Sequence, residues 1–260
     1  MERKYRYQDY GNDCVVFDYP TDSKIVVICV PSFKGGAFQF FLLRRKLKKL
    51  GLHVVTLDFS FRWFSRKMFT EMSLTRGKAE LEFIVSKVKL LYPRKKIILF
   101  GQSFGGSICI RINQELVDGL ILSSPVLNIE ETLMSYFKFK NIKDISRGEY
   151  LYFWEPINFP IKLLRLRVKS VIIQDAIKNF DPYVLAEKII TPILIFRGRN
   201  DRRLGEKVVS KFFEKIKSKK KQLTVIDGGA HNALSFWFSR TLSDEIYLFL
   251  KKNFDVGSEL

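Results

Sequence analysis

Seven short apolar runs separated by stretches of helical periodicity set the tightest limit on what this chain can become. They are CVVFDY (14–19), KIVVICV (24–30), HVVTLDF (53–59), KKIILF (95–100), VDGLILSS (117–124), PILIFRG (192–198) and QLTVID (222–227). Such continuous runs suit strands buried on both faces of a parallel sheet. Between them Phe40, Leu43, Leu47 and Leu50 recur at helical spacing and stop at Gly51. Leu81, Ile84, Val85, Val88 and Leu91 form a second stripe ended by Pro93. Val208, Val209, Phe212, Phe213 and Ile216 form a third, and Leu242, Ile246, Phe249 and Leu250 a fourth. Strand alternating with helix predicts an α/β fold: a mostly parallel central sheet, flanked by helices and joined by right-handed crossovers.

One segment breaks the alternation. Residues 126–185 are too long for an ordinary crossover and mix aromatic with charged residues, as in SYFKFK and EYLYFWEP. The reading is an α/β core over 1–125 and 186–260 with a cap inserted at 126–185, over one end of the sheet. At 260 residues and 47% hydrophobic content, the chain can bury a substantial core and is not disordered. The three cysteines, Cys14, Cys29 and Cys109, sit in apolar stretches without metal-ligand or CxxC spacing. They are expected to be buried thiols in a reducing compartment, with no metal or cofactor. The first residues, MERKYRYQDYGND, lack the apolar segment of a leader, and no run approaches the length of a membrane span. A soluble cytoplasmic protein is expected.

The run IILF at 97–100 leads into GQSFGG and then into SICIRINQEL. Strand, glycine-flanked serine and helix together make the setting of a G-x-S-x-G elbow, in which a sharp strained turn lifts the serine hydroxyl above the sheet edge. The plainer alternative is a helix cap at Ser103. A serine hydroxyl becomes an effective nucleophile only beside a base that is itself oriented by a third group. The chain has two histidines. His53 begins a strand on the entry side, where a structural role is expected. His231 lies in DGGAHNAL, just beyond the last strand, where open α/β sheets place their sites. The acid should precede the histidine, and Asp201 leaves the strand in PILIFRGRND at the same edge. Asp227, close to His231, is read as shaping the turn.

On these residues the sequence resembles the α/β-hydrolase superfamily, and most closely its compact serine esterases of the monoacylglycerol lipase and lysophospholipase type. VICVPSFKGG is similar to the loop after the third strand, VVTLDF to the fourth strand, GQSFGG to the elbow, RGRND to the acid loop and GGAHN to the histidine loop. The resemblance implies acyl transfer to water through an acyl-enzyme on Ser103, with Asp201 and His231 completing the triad and a carboxylic ester with an apolar acyl group as substrate. Pro31-Ser32 stands where the family usually carries His-Gly. Proline has no N–H, so the oxyanion hole is expected from the backbone amides of Phe33 and Phe104, with Lys34 the neighbouring alternative to Phe33. Arg202 and Arg203 follow the acid where an apolar pair is usual, and are expected to face solvent.

The formal charge of +18 calls for an account of acidic partners. Basic residues gather in RRKLKK (44–49), KLLRLRVK (162–169) and KIKSKKK (215–221). The first and third read as solvated helix faces. The second, within the cap, alternates apolar with basic residues, and Arg165, Arg167 and Lys169 could meet an anionic membrane. Tyr136, Phe137, Tyr152, Phe153 and Trp154 are expected to roof an apolar pocket. A thioesterase or peptidase of the same fold and a non-catalytic binding protein remain open. A specific nucleic-acid binder is disfavoured, because the basic runs are scattered and no recognition motif occurs.

Overall fold

The computed structural model describes residues 2–9, 12–61, 72–128, 131–132, 150–157, 162–231 and 237–256. Ten strands are described: β1 (Arg3–Asp9), β2 (Asn12–Tyr19), β3 (Ile25–Val30), β4 (His53–Asp58), β5 (Lys96–Gln102), β6 (Gly119–Ser123), β7 (Tyr150–Ile157), β8 (Lys162–Lys169), β9 (Ile193–Gly198) and β10 (Lys221–Ile226). Eight form one sheet in the order β1-β2-β4-β3-β5-β6-β9-β10. From β4 to β10 every neighbouring pair is parallel, whereas β2 runs antiparallel to both β1 and β4.

The reason for the unbroken apolar runs is visible in β3. Ile25, Val27 and Cys29 enter one core cluster, and Val26, Ile28 and Val30 enter the other. A strand with helices over both faces has no solvent side, and each buried Val or Ile contributes about 1.5–3 kcal/mol. The first cluster is closed by α1 (Phe41–Lys49) and by α7 (Ser239–Asn253), through Leu43, Leu47, Leu242, Ile246 and Phe249. The second is closed by α2 (Leu74–Leu91), α3 (Phe104–Arg111) and α6 (Glu206–Lys215), through Leu81, Ile84, Val85, Ile108, Val209 and Phe212. All four helical stripes read from the sequence therefore face the sheet, although Leu91, at the end of its stripe, is exposed.

Strand β1 has no counterpart among the seven apolar runs. It is an edge strand of sequence RKYRYQD, paired only with β2, and a basic edge discourages pairing with another chain. Its alternation of charge and aromatic ring hides it from a search for buried runs.

Between β6 and β9 the chain leaves the main sheet. Strands β7 and β8 pair with each other in an antiparallel two-stranded sheet, with Leu151 opposite Val168, and both of these side chains are buried in the second cluster. Two helices follow, α4 (Val171–Asn179) and α5 (Pro182–Ala186). Asp175 of α4 roots this segment in the core: it accepts from Thr75 N at 3.0 Å and from Thr75 Oγ1 at 2.5 Å, with the Arg111 guanidinium 4.0 Å away. Tyr136 and Phe137 lie outside the described residues, and for Tyr152, Phe153, Trp154 and Arg165 only the strand backbone is described.

His53 lies on β4, fully buried and away from Ser103, in a network of its own. Lys95 Nζ, which can only donate, reaches His53 Nδ1 at 3.1 Å. The ring proton is therefore on Nε2, donating to Asp18 Oδ1 at 2.5 Å, while the Tyr92 hydroxyl donates to Asp18 Oδ2. Burial pushes the His53 pKa down more strongly than Asp18 lifts it, so the ring is neutral. For Asp18 burial acts upward, but the hydrogen bonds from His53 and Tyr92 outweigh it and the carboxyl is lowered. Both groups titrate lower folded than unfolded, so the unfolded chain takes up protons first as pH falls. For His53, stability present above its ordinary value of 6.5 is lost below it. His53→Gln, which can donate to Asp18 and accept from Lys95 without titrating, is expected to lessen the fall in Tm between pH 7 and pH 5. Melting curves across that range check this, and an unchanged slope would place the acid sensitivity elsewhere.

Candidate active site

The chain places β4 on one side of β3 and β5 on the other, and the carboxyl ends of the strands at such a switch point are where open α/β sheets bind ligands. Ser103 follows the last residue of β5 there and precedes α3. Its backbone has φ 53° and ψ −119°, a left-handed conformation that a non-glycine residue holds only when its surroundings impose it. They do so on both sides. Ser103 N donates to Ser123 O at 2.9 Å, and its own carbonyl accepts from Gly106 N at 2.9 Å and Val126 N at 3.2 Å. The turn is tight because Gly105 allows it: a β-carbon there would lie 2.4 Å from both Val30 O and Pro31 O. The loop after β3 is thereby pressed against the first turn of α3.

Two loops bring the other groups to this point. Past β9, Asn200 N donates to Gly229 O at 2.9 Å, and Arg199 N to Ile226 O at 2.9 Å, so the loops carrying Asp201 and His231 are bonded together. His231 Nε2 lies 2.8 Å from Ser103 Oγ, and its Nδ1 lies 2.9 Å from Asp201 Oδ2 and 3.0 Å from Oδ1. With the proton on Nδ1 donated to the carboxylate, Nε2 is the acceptor facing the serine. All three residues are buried. Asp201 also accepts from Arg203 N at 2.9 Å and Leu204 N at 3.0 Å, so the carboxylate shapes its own turn while it faces the imidazole. It does not cap α6, whose N-cap is Gly205. Burial acts to raise the Asp201 pKa, but the hydrogen bond and charge of His231, with Ser124 and the Leu204 amide, outweigh it. The carboxyl is held below its ordinary value and stays ionised across neutral pH.

The remaining sequence-derived residues fall as follows. Phe104 is the first residue of α3, where helix amides have no intrahelical partner. Phe33 lies on the loop after β3, its ring edge-on to that of Phe104 with centroids 5.7 Å apart. Arg202 and Arg203 are exposed, as expected. Asp227 is an exposed turn residue paired with Arg199 at 2.5 Å. Among the described residues no group of three His, Cys, Asp or Glu side chains could hold a metal ion. The sequence reading missed Gln39 and Gln102, whose side chains join the loop after β3 to the elbow, with Gln39 Nε2 donating to Gln102 Oε1 at 2.9 Å. It also missed Asp58, whose Oδ1 accepts from Ala37 N at 2.7 Å. No motif in the sequence flags a glutamine as a bridge.

No family model and no curated protein sequence matches the chain. Solved structures do. Est1E from Butyrivibrio proteoclasticus superposes with a TM-score of 0.76 at 16% identity, over 96% of this chain and 98% of that one. The monoglyceride lipase of Saccharomyces cerevisiae, as a soluble variant with a substrate analogue, gives 0.73 at 16% identity, over 100% and 96%. A monoacylglycerol lipase from Paleococcus ferrophilus gives 0.68 at 18% identity, over 95% and 99%. With its eight-stranded, mostly parallel sheet, its helices on both faces and a serine at the strained turn after β5, the chain has the α/β-hydrolase fold.

Proposed function

We propose that the protein is a serine hydrolase that cleaves carboxylic esters bearing an apolar acyl group. The observation that carries this reading is the hydrogen-bond chain from Ser103 Oγ to His231 Nε2 and from His231 Nδ1 to Asp201, ending on a serine of positive φ. As Ser103 Oγ bonds to the ester carbon, its proton passes to His231 Nε2 and the carbonyl electron pair moves onto oxygen. The backbone amides of Phe33 and Phe104 receive that oxyanion. Collapse of the intermediate expels the alkoxide, which leaves as the alcohol with the proton from His231. Water, deprotonated by the same imidazole, then releases the acid and restores Ser103. Asp201, ionised throughout, holds the ring in the accepting tautomer and favours the imidazolium that forms. Within this reading residues 126–185 are a cap over the site, and Cys14, Cys29 and Cys109, all free and buried, suit a reducing cytoplasm.

The half-buried Phe33 ring, packed edge-on to that of Phe104, supports an apolar acyl chain, each buried CH₂ adding about 0.8 kcal/mol until the pocket ends. Peripheral contact with anionic membrane is supported by exposed Arg167 on β8 and by exposed Phe38, Phe41 and Trp237. One experiment covers both parts. A fluorophosphonate probe should label the protein at Ser103, and kcat/KM should climb from acetyl to at least octanoyl p-nitrophenyl esters. Acylglycerols carried in anionic vesicles should be cleaved faster than in neutral ones, with the advantage lost in high salt. Failure of the probe to label would favour a non-catalytic binding protein, and a preference for acetyl esters would sink the apolar pocket. Equal rates on the two vesicles would return the basic strip to a solvated face.

A further inference from the structure

The loop after β3 begins with Pro31, which has no N–H to offer, yet the reading above asks this loop for an oxyanion donor. Besides the close approach at Gly105, one side chain ties this loop to the elbow. Gln39 Oε1 accepts from Ser32 N at 3.1 Å and from Ser32 Oγ at 3.0 Å, and its Nε2 donates to Gln102 Oε1 at 2.9 Å. Gln102 is buried and immediately precedes Ser103. The loop is wound closely round this amide. A β-carbon on Gly35 would lie 1.6 Å from Gln39 Oε1, and Gly35 N donates to Ser32 O at 2.9 Å to close a turn with Phe33 and Lys34 at its centre. The far end of the loop is pinned separately, by Ala37 N on Asp58.

Two amides of the loop are thereby assigned. The Ser32 amide is spent on Gln39 and the Gly35 amide on the turn, so neither is presented to a substrate at Ser103. The Gln39 side-chain amide couples the Pro31–Ser32 peptide, one residue before Phe33, to the residue before the nucleophile. Oxyanion donors act over a window of about 2.7–3.1 Å, and a displacement near 1 Å costs about 100-fold in rate. We propose that Gln39 is a positioning residue, which sets the separation between the Phe33 amide and Ser103 by bridging the β3 loop to the elbow through Gln102. This inference rests on the assignment of Ser103 as nucleophile.

The test compares Gln39→Leu, Gln102→Leu and the double variant with the wild type on p-nitrophenyl butyrate, alongside affinity for an alkylboronic acid, whose adduct places an oxygen in the oxyanion position. Gln39→Leu is expected to lower kcat by about 30- to 100-fold with KM within about twofold, and to weaken the boronic acid in the same proportion. Because the two glutamines act through one hydrogen bond, the double variant should be no worse than the poorer single one. Backbone hydrogen exchange over 31–38 should accelerate in Gln39→Leu, a readout that needs no catalysis. Turnover within threefold of wild type, or a KM that rises in step with the loss, would overturn the proposal. If the wild type neither takes the fluorophosphonate nor hydrolyses any ester, the assignment of Ser103 falls, and exchange over 31–38 decides the bridge alone: unchanged protection in Gln39→Leu refutes it.

Discussion

Ser103→Ala is expected to remove ester hydrolysis by at least about 10⁴-fold while leaving the melting temperature within a few degrees of wild type. The two halves have separate causes. The strained φ of 53° at this position is imposed by backbone bonds to Ser123, Gly106 and Val126, none of which uses the hydroxyl. Removing Oγ costs one hydrogen bond to His231, about 1 kcal/mol, and nothing in the turn. His231→Ala should be as severe in rate, and the double variant no worse than either single one, because the serine and its base act as a unit. His53→Gln serves as the control: its site is sealed by Asp18, Tyr92 and Lys95, and turnover near pH 7.5 should be unchanged. A greater catalytic loss from His53→Gln than from His231→Ala would overturn the assignment of the base.

Gly105→Ala should be the more destructive change to the fold despite adding one carbon. Its β-carbon would meet the carbonyl oxygens of Val30 and Pro31 at 2.4 Å, and both are backbone atoms that no rotamer change can move aside. Relief requires the end of β3 and the first turn of α3 to separate, at a cost of about 3 kcal/mol or more. That separation also draws the Phe33 loop away from Ser103. The expected result is a Tm lower by roughly 6 °C or more, from the usual 2–4 °C per kcal/mol for a chain of this size, together with a loss of kcat in whatever fraction folds. Thermal melting and active-site titration of the folded material check the two parts. A variant with wild-type Tm and turnover would show that the loop and elbow are less tightly opposed than this geometry requires.

The sequence by itself determined the layered α/β architecture and which serine, aspartate and histidine stand at the sheet edge. Burial on both faces leaves an unbroken apolar run, as in IVVICV, and a helix on that face leaves a stripe, as in Leu43 and Leu47. Ser103, Asp201 and His231 were legible because each stands just beyond a strand, a property of a few neighbouring residues. The edge strand β1 was not, since a strand exposed to solvent carries no apolar run. The tertiary structure shows how His231 reaches the serine. Ser103 and His231 stand 128 positions apart and meet at 2.8 Å because β5, β6, β9 and β10 lie side by side and their loops are bonded at Asn200 and Gly229. The same holds for Gln39, an ordinary polar residue at the start of a helix until the chain carries it to Gln102, 63 positions away. Local pattern records what a residue is buried against in kind. Which partner it meets depends on strand order and register, and these are set by the packing of the whole sheet.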